Sequence, residues 1–318
     1  MKCDGGAVQG LCVLRATASR AACAPSATDP LGDGVCAGQG RCAADAMCQG
    51  ATADLLRDAG GLPKISGLAI FNLANFFNMR DSLRQQVIDL SQLVAVLKST
   101  EALKSLSART VLTFDLTKLG YIGQSLGGIQ GTLFNSVSTD TTNVVLNVPG
   151  GAWTTLVKDT VSFAPIRVSL LAGLAAQGLM PGTPAFDQFF GTMQWILDPA
   201  DPANMGYRVT HPVVANANRK AFIQFIQGDE AVPNSATLAL LASANRSYVP
   251  TPPKFGCVAP LFCYEFTEAG DAFDATSAPG ASRHGFLLKP PSATAGGLAL
   301  TTKAQTQAAT FLATGTLP

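Results

Sequence analysis

Ser125 lies in Gly123-Gln124-Ser125-Leu126-Gly127, between extended apolar residues and a glycine-rich helix start. A serine hydroxyl is a weak nucleophile at its free pKa. It becomes useful where a sharp strand-to-helix turn holds it clear of the backbone and beside a base. Such a turn brings two backbones so close that the flanking positions tolerate little beyond glycine. Val111-Leu112-Thr113-Phe114 and Leu119-Gly120-Tyr121-Ile122-Gly123 supply the extended residues before the serine. After it, Leu126 to Phe134 reads as a helix whose Gly127, Gly128 and Gly131 allow close packing on a sheet. The pentapeptide alone is common, so a base and an acid must be sought.

The chain has only two histidines, His211 and His284. Residues 220–227 alternate and cluster apolar residues as a buried strand does, and run into Gly228-Asp229-Glu230-Ala231-Val232-Pro233. Asp229 is the favoured acid on that strand-end loop, with the adjacent Glu230 as the alternative. His284 follows in Ser282-Arg283-His284-Gly285-Phe286, after a Gly/Ala/Ser-rich stretch, and suits a base carried on a loop over the strand ends. The order serine, acid, histidine along the chain is that of a nucleophile-elbow hydrolase. His211 precedes the acid and reads as structural. In such a constellation the serine attacks a carbonyl carbon, the histidine takes its proton, and the carboxylate orients the imidazole. The N–H of Leu126, the residue after the nucleophile, would support the oxyanion.

Further segments carry a resemblance. Phe71 to Gln85, with its Met79-Arg80-Asp81, the elbow Gly123 to Gly128, Val148-Pro149-Gly150-Gly151, Met193 to Pro202 and Gln227 to Asn234 resemble the large extracellular lipases and phospholipases of Gram-negative bacteria. The likeness runs from about residue 65 to 312. It implies an α/β-hydrolase fold, a serine carboxylic-ester hydrolase working through an acyl-enzyme, Ser125 as nucleophile, Asp229 as acid and His284 as base. Gln124 stands where that family usually has histidine, and its amide is free to serve a substrate or the adjacent loop. Gln124, Trp153, Phe189 and Met193 are the expected substrate contacts. An ester or lipid is the expected substrate, with contact to a lipid surface. Related serine chemistries on the same scaffold (polyester depolymerase, thioesterase, peptidase) stay open, as does a catalytically weak fragment.

What precedes the elbow departs from the fold's pattern. Only 124 residues lie before Ser125, and the first fifty do not alternate strands with helices. The second oxyanion donor has no obvious source. Losing one such donor costs on the order of 100- to 1000-fold in rate. The backbones of Asp4-Gly5-Gly6 and Pro149-Gly150-Gly151 are the candidates. Otherwise the chain is the C-terminal part of a longer protein, which is the expectation. Cys3, Cys12, Cys23, Cys36, Cys42 and Cys48 fall in a loop-like Ala/Gly/Asp background without a Cys-x-x-Cys pair or a nearby histidine, so disulfides are favoured over zinc. Cys257 and Cys263 could close a small loop. Paired cysteines point to a secreted or periplasmic location. Met1 to Gly5 nevertheless does not read as a leader.

These residues need elements to position them. The expected architecture is α/β: an α/β-hydrolase-like, mostly parallel sheet over residues 61–318, with a helical cap insertion at about 152–215 and a Cys-rich segment at 1–60. Strands are expected at Asn143–Val148, Phe222–Ile226 and Leu261–Phe266. Ser82 to Gln85 has the pattern of a capping box, opening a helix whose Leu83, Val87, Leu90, Val94 and Leu97 line one face against the sheet. Thr302 to Leu312 is the expected final helix, with 269–282 and 292–302 as loops. Asp198 and Asp201, each before a proline, read as turn and helix-start residues, with calcium as the alternative. No metal or organic cofactor is expected. A net charge of +1 from 22 basic and 21 acidic residues provides no electrostatic stripe for nucleic acid. No apolar run of about 18 residues offers a spanning helix.

Overall fold

Val144-Val145-Leu146 and Phe222-Ile223 are unbroken apolar runs, and strands of that composition are stable where both faces are covered. In the computed structural model they sit at the centre of an all-parallel sheet. The structure describes residues 70–99, 115–214, 219–245, 256–271 and 282–318, with two short strands further upstream. The chain divides into two units, Met1–Ala74 with Lys104–Thr110, and Asn75–Leu103 with Val111–Pro318. In the first, β1 (Val35–Cys36) pairs antiparallel with β2 (Gly40–Arg41). The expected extended segment at 111–114, Asp4-Gly5-Gly6 and the first six cysteines' pairing lie outside the described residues.

The second unit carries everything that follows. Its sheet has the order β3 (Gly120–Gln124), β4 (Asn143–Asn147), β5 (Lys220–Ile226), β6 (Leu261–Phe266). The register aligns Gln124 with Asn147 and Asn147 with Gln224, so the strand ends form one rim. The fold class is therefore α/β with a parallel sheet, and β6 is an edge strand as its sequence predicts.

Both faces of the sheet are covered. On one, Val145, Phe222, Phe266 and Phe286 pack with Ala304, Ala308 and Phe311 of α9 (Ala295–Thr314). On the other, Val144, Leu146, Ile223 and Phe225 pack with Val209 of α6 (Pro202–Thr210) and Leu241 of α7 (Asn234–Ala244). Helix α2 (Leu126–Val137) follows the elbow directly, and one helical turn, α8 (Glu268–Asp271), follows β6 where a loop was expected from residue 269. Between β4 and β5 the chain inserts α3 (Trp153–Asp159), α4 (Ala164–Ala176), α5 (Pro184–Leu197), a 3-10 turn (Asp198–Ala200) and α6.

Three expectations are corrected. Helix α1 (Phe76–Leu97) begins before the Ser82 pattern, because Asn75 accepts the Asn78 N–H at 3.0 Å and caps it there. Its apolar stripe packs on α2 and α5 rather than on the sheet, with Met79 and Leu83 fully buried. The stretch 295–302 is helical, since Thr294 caps α9 by accepting the Gly297 N–H at 3.2 Å. Asp201, fully buried, does start α6: it accepts N–H bonds from Ala203, Ala152 and Trp153 and an amide bond from Gln194, so its oxygens serve two helix starts.

Candidate active site

The elbow is built from three close approaches. A Cβ on Gly123 would overlap the Gly127 carbonyl, so the strand and helix arms of the turn touch. Gly128 faces Asn147 O and Pro149, and Gly131 faces the Tyr121 ring and Leu146. Gly127, expected to pack on the sheet, faces open space; its contribution is its carbonyl, which accepts the Tyr121 hydroxyl at 2.6 Å. Burial pushes the Tyr121 phenol up to about 12, so it stays a donor at any ordinary pH. Tyr121 thus braces the turn from beneath. Its isolated position in a short strand gave the sequence reading nothing to single it out.

Ser125 itself has φ 56° and ψ −120°, a region that non-glycine residues enter only when the surroundings impose it. Its N–H donates to the Asn147 carbonyl at 2.9 Å, and its carbonyl accepts the Ile129 N–H at 2.9 Å. The backbone is held at both ends. As the first N–H of α2, that of Leu126 has no partner within the helix, and it sits at the positive end of the helix dipole.

From that turn the Ser125 hydroxyl lies 2.6 Å from Nε2 of His284. Nδ1 of His284 is 2.9 Å from both carboxylate oxygens of Asp229. Asp229 sits in the turn after β5, and its Oδ1 also accepts the N–H groups of Ala231 and Val232 at 2.9 Å each. That fixes the carboxylate before the imidazole arrives. Glu230, the alternative acid, turns away and accepts the Ser282 hydroxyl. The serine, imidazole and carboxylate form one continuous hydrogen-bonded line, the imidazole between its two partners. Such a line can move a proton from the hydroxyl onto Nε2 while the carboxylate stabilises the resulting cation.

Gln124 belongs to the same cluster: its Nε2 donates to the His284 carbonyl at 3.1 Å, so its amide serves the adjacent loop. The other expected contacts are placed differently. Trp153 is buried with its ring N–H donating to Ala200 O at 2.9 Å, and Met193 is fully buried. Both are interior packing residues of the insertion. Phe189 is half-buried against the rings of Phe76 and Phe190. Gly151, a candidate oxyanion donor, gives its N–H to Ala236 O at 3.0 Å, so that group is spent on α7. His211 stacks on Tyr207 at 4.2 Å, exposed at the end of α6. Among the described residues no group of three or more His, Cys, Asp or Glu side chains is arranged to hold a metal ion.

No family model matches the chain, and no curated protein matches it. Among solved structures it is similar to an acetyl xylan esterase from Paenibacillus sp. R4, at 14% identity over 54% of this chain and 45% of that one, with a TM-score of 0.33. It is also similar to acetyl xylan esterase 1 from Thermoanaerobacterium sp. JW/SL YS485, at 16% identity over 70% and 57%, TM-score 0.38. A third is an acylaminoacyl peptidase of Pyrococcus horikoshii, at 11% identity over 67% and 26%, TM-score 0.38. The chain spans between 26% and 57% of the length of these structures.

Proposed function

We propose that the chain is a serine hydrolase acting on carboxylic esters through an acyl-enzyme. Ser125 attacks the ester carbonyl as His284 takes its proton, Asp229 holds the imidazole with Nδ1–H toward the carboxylate, and the Leu126 N–H supports the oxyanion. The protonated imidazole then protonates the leaving alcohol. A water, activated by the same Nε2, releases the acyl group. The observation that carries this reading is the Ser125 Oγ to His284 Nε2 distance of 2.6 Å, reached from a backbone conformation that the fold must enforce.

The insertion between β4 and β5 is read as the cap of this enzyme. Val161, Phe163, Val168, Met180 and Trp195 are exposed apolar side chains on it. That surface supports a hydrophobic ester or lipid substrate. Its anchorage supports the same reading: the N–H groups of Val161 and Ser162 donate to the Glu230 carbonyl at 2.9 and 2.8 Å, beside Asp229. The Cys257–Cys263 disulfide supports work outside the cytoplasm. No helix among the described residues is long and apolar enough to cross a membrane.

Short p-nitrophenyl esters and a fluorophosphonate probe test the proposal. Ser125→Ala is expected to abolish both turnover and labelling, and His284→Ala to abolish turnover. Turnover that survives Ser125→Ala would remove this serine from the mechanism. A panel of acyl lengths, acetyl esters and blocked aminoacyl substrates then separates lipase from short-chain esterase and from peptidase.

A further inference from the structure

The base of this site is carried on a succession of turns, not on a helix or strand, yet its ring must keep two hydrogen bonds to groups on different elements. A displacement of 1 Å at such a ring can cost about 100-fold in rate. Its own bond to Asp229 fixes one ring nitrogen and the Gln124 amide holds its carbonyl, which leaves the chain on its N-terminal side to be held by other groups. The residue before it is Arg283. Its Nη1 donates to the Gln227 carbonyl at 3.1 Å, and its Nη2 pairs with Glu268 at 2.8 Å. The guanidinium lies across Gly228, where an added Cβ would overlap it. Gly228 also has φ +74°, the left-handed region that favours glycine. The residue preceding the base is therefore packed on the residue preceding the acid.

We propose that Arg283 is a positioning residue for His284, clamped between the Gln227 carbonyl and Glu268 over Gly228, and that this clamp sets the imidazole's approach to Asp229 and Ser125. This role rests on the serine-hydrolase reading. Arg283 touches no reacting atom. Its side chain is only 18% exposed, with Glu268 at the outer end of the clamp at 39%. A planar fork with two donor ends suits a carbonyl on one side and a carboxylate on the other; a lysine ammonium on a flexible stem cannot hold both with the same geometry. Ser282 donating to Glu230, and Gln124 donating to the His284 carbonyl, flank the clamp.

The test compares the full chain with Arg283→Gln, Arg283→Lys and Glu268→Gln. Arg283→Gln is expected to lower kcat on p-nitrophenyl acetate about 10- to 100-fold, following the positional sensitivity above. KM should change less than about twofold, and fluorophosphonate labelling should slow by the same factor as kcat. Arg283→Lys should recover part of the loss, and Glu268→Gln should cost less and add nothing in the Arg283→Gln background. The Nδ1 proton of His284, observed downfield by proton NMR in the wild-type chain, should broaden in Arg283→Gln. Unchanged kcat and an unchanged resonance in Arg283→Gln would overturn the proposal. If that variant does not fold, the same result in both Arg283→Lys and Glu268→Gln would overturn it. A wild-type chain that neither turns over the ester nor labels at Ser125 would instead refute the hydrolase reading, and the positioning role with it.

Discussion

At Ser125 a side chain that prefers other backbone angles is held at φ 56°, and such strain costs on the order of 1–3 kcal/mol. The surroundings that impose it are the Asn147 carbonyl on one side and the first turn of α2 on the other. Ser125→Gly is therefore expected to unfold about 1 kcal/mol later than Ser125→Ala in a urea titration, while neither variant turns over an ester. The two acids are separable in the same spirit. Asp229→Asn should lower kcat by about 1000- to 10,000-fold, because the amide no longer sets the imidazole tautomer. Glu230→Gln should stay within a few-fold of wild type, since the glutamine oxygen can still accept from Ser282. Equal losses in the two would show that the carboxylate on Nδ1 is not the working acid. Two neighbouring carboxylates in one turn look alike in sequence. Which of them meets the ring depends on how the turn leaves β5, and that is where sequence reading left the choice open.

Two glycines of helix α2 behave oppositely at the level of the elements. Gly131 is where α2 crosses the Tyr121 ring, and a methyl there must displace a half-buried aromatic. Gly131→Ala is expected to destabilise the chain by about 1–3 kcal/mol. Gly127 has open space beyond its Cα, so Gly127→Ala should be neutral or stabilise by up to about 1 kcal/mol through reduced freedom of the unfolded chain. Denaturant midpoints for the pair check the sign difference. Local spacing marks both glycines as helix residues near a turn; only the packing partner assigns their roles. Helix α1 illustrates the same point. Its apolar stripe at Leu83, Val87, Leu90, Val94 and Leu97 was legible from periodicity, but periodicity names an apolar face without naming what covers it. Arg219 was not legible at all. It is fully buried, its guanidinium donating to the carbonyls of Asn135, Ser138 and Thr141 at the end of α2, and burial pulls its pKa down to about 10. Arg219→Leu should cost about 3 kcal/mol, read in the same denaturant titration, by removing a charged donor from three carbonyls.

On the scale of the whole molecule, the buried Tyr121 phenol links the elbow to global stability. Its folded value of about 12 lies above the 10.0 of an exposed tyrosine, so between those pH values the unfolded chain releases a proton that the folded chain keeps. The contribution is complete below pH 10 and is lost as pH rises toward 12. Compared with wild type, Tyr121→Phe should show a flatter fall of the urea midpoint between pH 9 and about 11.5, other titrations being common to both proteins. A fall of the same steepness would mean that Tyr121 does not report on unfolding.

The amino-acid sequence by itself determined the kinds of element and their order: an extended run into a glycine-flanked serine, apolar strands at residues 143–148 and 222–226, and a closing helix. It also determined that serine, acid and histidine follow one another along the chain. These are local properties, written in side-chain period, turn chemistry and cap residues within a few positions of each other. The tertiary structure alone decided that Asp229 rather than Glu230 meets His284, that the Gly151 N–H is spent on α7, that Trp153 and Met193 are interior, and that Arg283 lies over Gly228. Each depends on which distant residues share a few ångströms of space. That is settled by how the layers pack over the sheet, a competition among all the apolar surfaces at once, and no short window of sequence contains it.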